Sequence, residues 1–187
     1  MAKYKSYNKN GELVELHNLQ DKAVWCIEGS KTEEVFVKKF GADLQIAINP
    51  QKANDPFAPD LIELPNNQLA DLKVQCTPFF KSESLFGIPP RYAIVFNDKD
   101  RKRYNRLYPE IQIFYWIDWL AVRFEMGSTN IIIEPLDGVW KIKMPLLEEL
   151  LKKAPLHEYQ QRVGDKLGNA KSSYVLDIRH DYFIKCK

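Results

Sequence analysis

"PDLIELPNNQLADLKVQ", residues 59–75, sets Asp60, Asp71 and Lys73 inside two short apolar runs. "DLIEL" (60–64) and "LADLKVQC" (69–76) have the composition of strands, and "PNNQ" between them has turn chemistry. Side chains alternate faces along a strand, so Asp71, Lys73 and Gln75 share one face while Leu72, Val74 and Cys76 share the other. The apolar set can pack on a core while the polar set converges. If the two runs pair, Asp60 at the end of its strand approaches Asp71, although the sequence does not fix the register. Two readings are open. The charges are either the solvated face of a half-buried hairpin, with Asp60 after Pro59 as turn chemistry, or carboxylates gathered for a cation.

The flanking sequence supplies a frame for this hairpin. "GSKTEEVFVKKFG" (29–41) predicts a helix, with Ser30 as cap, Gly41 as stop, and Glu33, Phe36, Val37 and Phe40 on one face. "DLQIAIN" (43–49) alternates like a strand, and "PQKANDPFAP" (50–59) is a loop. "RYAIVFN" (91–97) reads as a buried strand and "DKDRKRYNRLY" (98–108) as a helix ended by Pro109. "IQIFYWIDWL" (111–120), rich in branched and aromatic side chains, is the strongest strand candidate. Downstream, "NIIIE" (130–134) and "VWKIKM" (139–144) bracket the turn "PLDG", "PLLEELLKKA" (145–154) is an amphipathic helix, and "SYVLDI" (173–178) and "YFIK" (182–185) are strand-like. Residues 1–22 read as a frayed start or a short hairpin turning at Asn10-Gly11. The order predicts an α/β (α+β) fold, a central mixed β-sheet flanked by helices.

Length and composition narrow the class. A chain of 187 residues is long enough for one good core, so a single domain over 1–187 is expected. Its 45% hydrophobic and 28% charged content is that of a globular protein. The longest apolar stretch, 111–122, contains Asp118 and is too short to span a bilayer, and the N-terminus lacks the apolar core of a secretory signal. Cys26, Cys76 and Cys186 form neither a disulfide framework nor a zinc pattern, so a cytoplasmic location is expected. A net charge of +2 neither demands nor excludes nucleic acid, because a local patch can do what a global excess does not.

Pro59-Asp60, ten intervening residues, then Asp71-Leu72-Lys73 resembles the signature of the PD-(D/E)XK nuclease superfamily. The common core of that superfamily is a helix, a three-stranded meander, a second helix and a further strand. The expected elements over about 29–119 follow that order, with one extra strand (91–97) before the second helix. The resemblance implies a restriction-endonuclease-like core and a metal-dependent, restriction- or repair-like DNA nuclease, expected to be an endonuclease. It makes Asp60 and Asp71 ligands of Mg²⁺ (or Mn²⁺) and Lys73 the catalytic lysine. It also implies a glutamate on the first helix, for which Glu33 is chosen and Glu34 is the fallback, and a polar residue at Gln75. Two converging carboxylates suit a hard cation with oxygen ligands, and a lysine beside them offsets charge developing on a phosphate.

Each candidate has a structural rival. Ser30-x-x-Glu33 also fits a capping box, which would turn Glu33 back onto its own helix. Lys99, Lys102, Arg103 and Arg106 form either a phosphate-binding patch or a solvated helix face. "FYWIDW" (114–119) reads as core rather than a base-stacking platform, and "RHDY" (179–182) as a surface turn. His17, His157 and His180 have no metal-ligand spacing. DNA is the expected partner, with a homodimer possible by analogy and no membrane. The rival functions are a non-catalytic nucleic-acid-binding or protein-interaction domain of nuclease-like fold, and an interaction protein using its aromatic strand. Residues 120–187 have no assigned role.

Overall fold

A computed structural model of the chain describes residues 4–14, 22–55, 57–158 and 172–187, with residues 22–31 described by backbone alone. In chain order, β1 (Lys5–Tyr7) is followed by α1 (Lys22–Leu44), β2 (Ile46–Ile48) and a 3-10 turn at Pro50–Ala53. Next come β3 (Leu61–Glu63), β4 (Gln68–Gln75), the short α2 (Ser82–Phe86), β5 (Ala93–Asn97), α3 (Asp98–Leu107) and β6 (Gln112–Asp118). β7 (Arg123–Met126), β8 (Thr129–Ile132), β9 (Asp137–Lys143), α4 (Met144–Leu151), β10 (Leu156–His157), β11 (Ser173–Asp177) and β12 (Ile184–Lys185) follow.

The branched and aromatic run of β6 becomes a central strand because both of its faces are covered. Phe114 turns to one cluster with Phe36, Ile46, Leu61, Ala70, Leu72 and Val139, which α1 covers. Ile113, Tyr115 and Ile117 turn to the other, with Tyr104 of α3 and Met144, Leu147 and Leu151 of α4. Each such side chain, fully buried, contributes about 1.5–3 kcal/mol. The resulting six-stranded sheet has the order β12-β9-β6-β4-β3-β2. β2, β3 and β4 form an antiparallel meander, β4 and β6 are parallel, and β6 and β9 are antiparallel. A parallel pair needs a long crossover, and the segment carrying α2, β5 and α3 provides it. The fold is thus mixed α/β around a mixed sheet.

Several boundaries differ from expectation, each for a physical reason. α1 begins at Lys22, so Ser30 lies inside the helix and not at its N-terminus. Gly41 is also internal: a Cβ there would lie 3.1 Å from the Ile46 carbonyl oxygen and from Val37 Cγ1, so glycine permits the close return of β2. The reversal itself is made by Gln45, with a left-handed φ of 53°. "NIIIE" and "VWKIKM" do not pair with each other. β8 pairs with β7, while the apolar face of β9 finds β6.

The extra strand is accounted for as well. β5 leaves the main sheet to pair with β11, in a three-stranded sheet of order β10-β11-β5. β1 pairs with β7 in a third sheet, and Tyr7 bridges to Leu13 around the Asn10-Gly11 turn. The described residues after 120 therefore extend the main sheet through β9 and β12, cover it with α4, and partner β5 through β11. Among the described residues no helix is long and apolar enough to cross a membrane.

Candidate metal centre

The geometry begins with strand register. Leu61 pairs with Ala70, Ile62 with Leu69 and Glu63 with Gln68. The turn that sets this register has Asn67 at φ 53°, a conformation asparagine tolerates, with Asn66 Oδ1 accepting from the Gln68 N–H. Continued by one residue, the register places Asp60 across from Asp71. Asp60 Oδ2 accepts a hydrogen bond from the Leu72 N–H at 3.1 Å, so this carboxylate is fastened to the strand that carries Asp71 and Lys73.

Asp60 is also held from behind. Buried Asn49 donates from its backbone N–H to the Asp60 carbonyl and from Nδ2 to the Pro59 carbonyl, each at 2.9 Å. Its Oδ1 accepts from the Gln51 N–H and so starts the 3-10 turn that carries Lys52. Lys52 Nζ then lies 2.6 Å from Asp60 Oδ1 and 2.5 Å from Glu33 Oε1. Burial works against the Lys52 charge, but its hydrogen bonds to Asp60 and Glu33 outweigh that and hold the ammonium above its ordinary range. Glu33 is accordingly a partner of the site and not of a helix cap, while Glu34 is exposed to solvent.

The parity expected of β4 is observed. Leu72 packs beneath α1, and Asp71 and Lys73 turn to the opposite face, toward α3. Lys73 Nζ sits 2.8 Å from Asp71 Oδ2 and 2.7 Å from Asp100 Oδ2, with the Tyr104 hydroxyl at 3.4 Å. Arg103 reaches Asp100 Oδ1 at 3.3 Å and donates to the Tyr104 hydroxyl at 2.5 Å. Asp100, Arg103 and Tyr104 occupy one face of α3 by their i, i+3, i+4 spacing.

The charges do not share this environment equally. Burial pushes the Asp71 carboxyl up from the usual carboxylate range, with Asp60 pushing the same way and Lys73 opposing. Asp100 is also desolvated, yet Lys73, followed by Arg103, holds it below that range. For Lys73 burial disfavours the charge, and Asp71, Tyr104 and Asp100 together keep the ammonium well above its ordinary value. Burial raises the Tyr104 hydroxyl in turn. Glu33, Asp60, Asp71 and Asp100 set against Lys52, Lys73 and Arg103 leave one negative charge unmatched.

Asp71 Oδ2 is buried and faces the Lys73 ammonium at 2.8 Å. By their chemistry, the hard oxygen donors of Asp60, Asp71 and Glu33 and the one unmatched negative charge suit a small divalent cation. Among the described residues no three carboxylate, imidazole or thiol groups converge as a metal cluster; the carboxylates close on lysines instead.

Other expected residues fall differently. Gln75 spends both ends of its amide on β5, donating to the Val95 carbonyl at 3.0 Å and accepting from the Val95 N–H at 3.3 Å. Arg103, expected toward solvent, turns inward because Asp100 and the Tyr104 hydroxyl are its partners. Lys99, Lys102 and Arg106 are exposed on the outer side of α3, Lys102 pairing with Asp98 at 2.6 Å. Phe114, Tyr115, Ile117 and Trp119 are core, and His180 and Asp181 sit on an exposed turn. His17 lies outside the described residues. Sequence reading missed Lys52, Asn49 and Asp100. Only Asp100 had a signal, its helical spacing to Tyr104 on the buried face. No family model matches the chain, and no match is found among curated proteins or solved structures.

Proposed function

We propose that this chain is a metal-dependent nuclease that hydrolyses DNA phosphodiester bonds, restriction- or repair-like, on a restriction-endonuclease-like core. The observation that carries the reading is the Asp60–Leu72 hydrogen bond, which joins the carboxylate after Pro59 to the strand bearing Asp71 and Lys73. The order α1, the β2–β3–β4 meander, α3 and then β6 parallel to β4 supports it further. Asp60 and Asp71, with Glu33, would hold Mg²⁺ or Mn²⁺. The bound ion supplies a polarised water and Lewis-acid relief for a phosphoryl oxygen.

The chain's own groups do the rest. Lys73 presents a permanent positive charge beside Asp71, suited to offsetting charge that develops on the phosphate. Asp100 and Tyr104 fix where that ammonium sits. Asn49 fixes the Asp60 backbone, and Gln75 acts as a tie to β5. Lys99, Lys102 and Arg106, exposed on the outer side of α3, would meet the DNA backbone.

A second reading rests on the same lysine. Lys73 is engaged by both Asp71 and Asp100, which also suits a nucleic-acid-binding domain that does not cut. The test incubates purified protein with plasmid and oligonucleotide DNA in Mg²⁺, Mn²⁺ or EDTA, beside Asp60→Asn and Lys73→Ala variants that retain a native thermal transition. Metal-dependent cleavage that drops at least about a hundredfold in the variants is expected. Absence of metal-dependent cleavage, or cleavage untouched by both substitutions, sinks the catalytic reading. Retained DNA binding without cleavage then favours the binding domain.

A further inference from the structure

Lys52 belongs to a part of the chain that the nuclease signature does not include, yet it touches two of the carboxylates assigned to the metal. Its ammonium lies 2.5 Å from Glu33 Oε1 and 2.6 Å from Asp60 Oδ1, and all three side chains are about four-fifths buried (20%, 15% and 18% exposed). Asp60 Oδ2 is already occupied by the Leu72 N–H. Both oxygens of this carboxylate thus already have a partner, Oδ2 the Leu72 N–H and Oδ1 the Lys52 ammonium. An ammonium and a divalent cation cannot share that oxygen at contact distance, since like charges at such separation repel strongly in a partly desolvated site.

From this geometry we infer that Lys52 is an exchangeable internal counter-ion: it clamps Glu33 and Asp60 together, and a divalent cation must expel it to bind them. The inference rests on the metal-dependent reading of the site. The construction of the clamp supports exchange over a fixed role. Lys52 is the last basic residue of a single 3-10 turn, on the exposed loop between β2 and β3, and not on a sheet strand. The Asn49 bonds that anchor the turn involve only backbone groups and the Asn49 side chain, so the lysine can swing out without breaking them. The chain thereby keeps its acidic pair half neutralised until a competing cation arrives.

Lys73 does not share this freedom. It stands in the middle of β4, under α3, with carboxylates on two elements and an aromatic ring on each side, Phe96 at 5.8 Å and Tyr104 at 5.5 Å. Of the two lysines, only the one on the loop can yield its place.

Two measurements test the exchange. In the first, Mn²⁺ binding to the full chain is followed by calorimetry for wild type, Lys52→Met and Asp60→Asn. Exchange predicts that Lys52→Met binds Mn²⁺ at least about tenfold more tightly, because expulsion of the ammonium no longer opposes binding, and that Asp60→Asn loses it. In the second, wild-type protein is acylated briefly with an amine-reactive ester, with and without Mg²⁺, and modification at Lys52 is mapped by mass spectrometry. Exchange predicts a several-fold rise in Lys52 labelling when Mg²⁺ is present, an effect that mere removal of a nearby charge does not produce. If wild type binds Mn²⁺ through Asp60 but Lys52 labelling does not rise and Lys52→Met binds no more tightly, the exchange is refuted while the metal-dependent reading stands. If neither protein binds Mn²⁺, both are refuted together. The labelling arm needs no variant, so a misfolded Lys52→Met leaves the test intact.

Discussion

Lys73 Nζ is nearly equidistant from carboxylates on two different elements, 2.8 Å from Asp71 on its own strand and 2.7 Å from Asp100 on α3. The ion contact thus joins the helix to the central sheet as well as placing an ammonium in the candidate site. Breaking a buried pair by deleting one partner leaves the other charge uncompensated, which costs about 3–5 kcal/mol. Lys73→Met takes the ammonium from two carboxylates and leaves Arg103 as their remaining cation, whereas Asp100→Asn leaves the ammonium with Asp71. We predict that Lys73→Met loses about 3–5 kcal/mol and Asp100→Asn less, read as midpoints of urea unfolding. Equal losses, or losses below about 1 kcal/mol, would show that the contact is not structural.

Asn49 is the hinge between Asp60 and Lys52. It is buried, and its side chain satisfies the Pro59 carbonyl and the Gln51 N–H at once. Asn49→Ala leaves both without that partner, at a cost of about 1–3 kcal/mol for each group that stays dry. The expected total is about 2–4 kcal/mol, since one of the two borders solvent. If the nuclease reading holds, cleavage falls further than stability explains, because Asp60 loses its backing. An Asn49→Ala protein with wild-type unfolding and wild-type cleavage would remove this residue from the site.

How much of this was legible depended on how local each relationship is. The shared face of Asp71 and Lys73 follows from strand alternation and needs nothing beyond the strand. The approach of Asp60 to Asp71 needed a register, which the Asn66–Asn67 turn supplies and which the run "PNNQ" only hinted at. The start of α1 was misread because Gly29, Ser30 and Gly41 look like punctuation. A helical glycine costs only about 1 kcal/mol, and burying Phe36 against Leu61, Leu72 and Phe114 outweighs it. The pairing of β9 with β6 and of β5 with β11 is a choice among distant partners that no local pattern encodes. Lys52 was out of reach for the same reason, since its two partners lie on α1 and beside β3.

Tyr115 offers a prediction of opposite sign. Its side chain is fully buried in the central strand and packs edge-on to Phe183, with ring centroids 5.8 Å apart. Its hydroxyl is buried without a hydrogen-bond partner among the described residues. A buried unsatisfied polar group costs about 1–3 kcal/mol, so its removal with the ring retained should stabilise the fold. Tyr115→Phe is expected to raise the stability by about 1 kcal/mol, seen as a higher urea midpoint at unchanged slope. A loss of stability would mean that the hydroxyl is satisfied in solution.

The ion pairs also set the pH range over which the fold is stable. Asp100 is held below the usual carboxylate range, so its contribution is present above the unfolded value of about 3.9 and is lost as pH falls through the folded value. Asp71 is shifted the other way: its protonation in acid relieves a buried charge and partly offsets the loss. Lys52 and Lys73 are raised, so their contributions are complete below the unfolded value of about 10.4 and are lost as pH rises through the folded values. Stability should therefore be level from about pH 5 to about pH 10 and fall on both sides. Asp100→Asn should flatten the acid limb and leave the alkaline limb to Lys52 and Lys73. Urea midpoints measured from pH 3 to pH 11 decide this, and an acid limb of unchanged steepness in Asp100→Asn would assign the loss to other carboxylates.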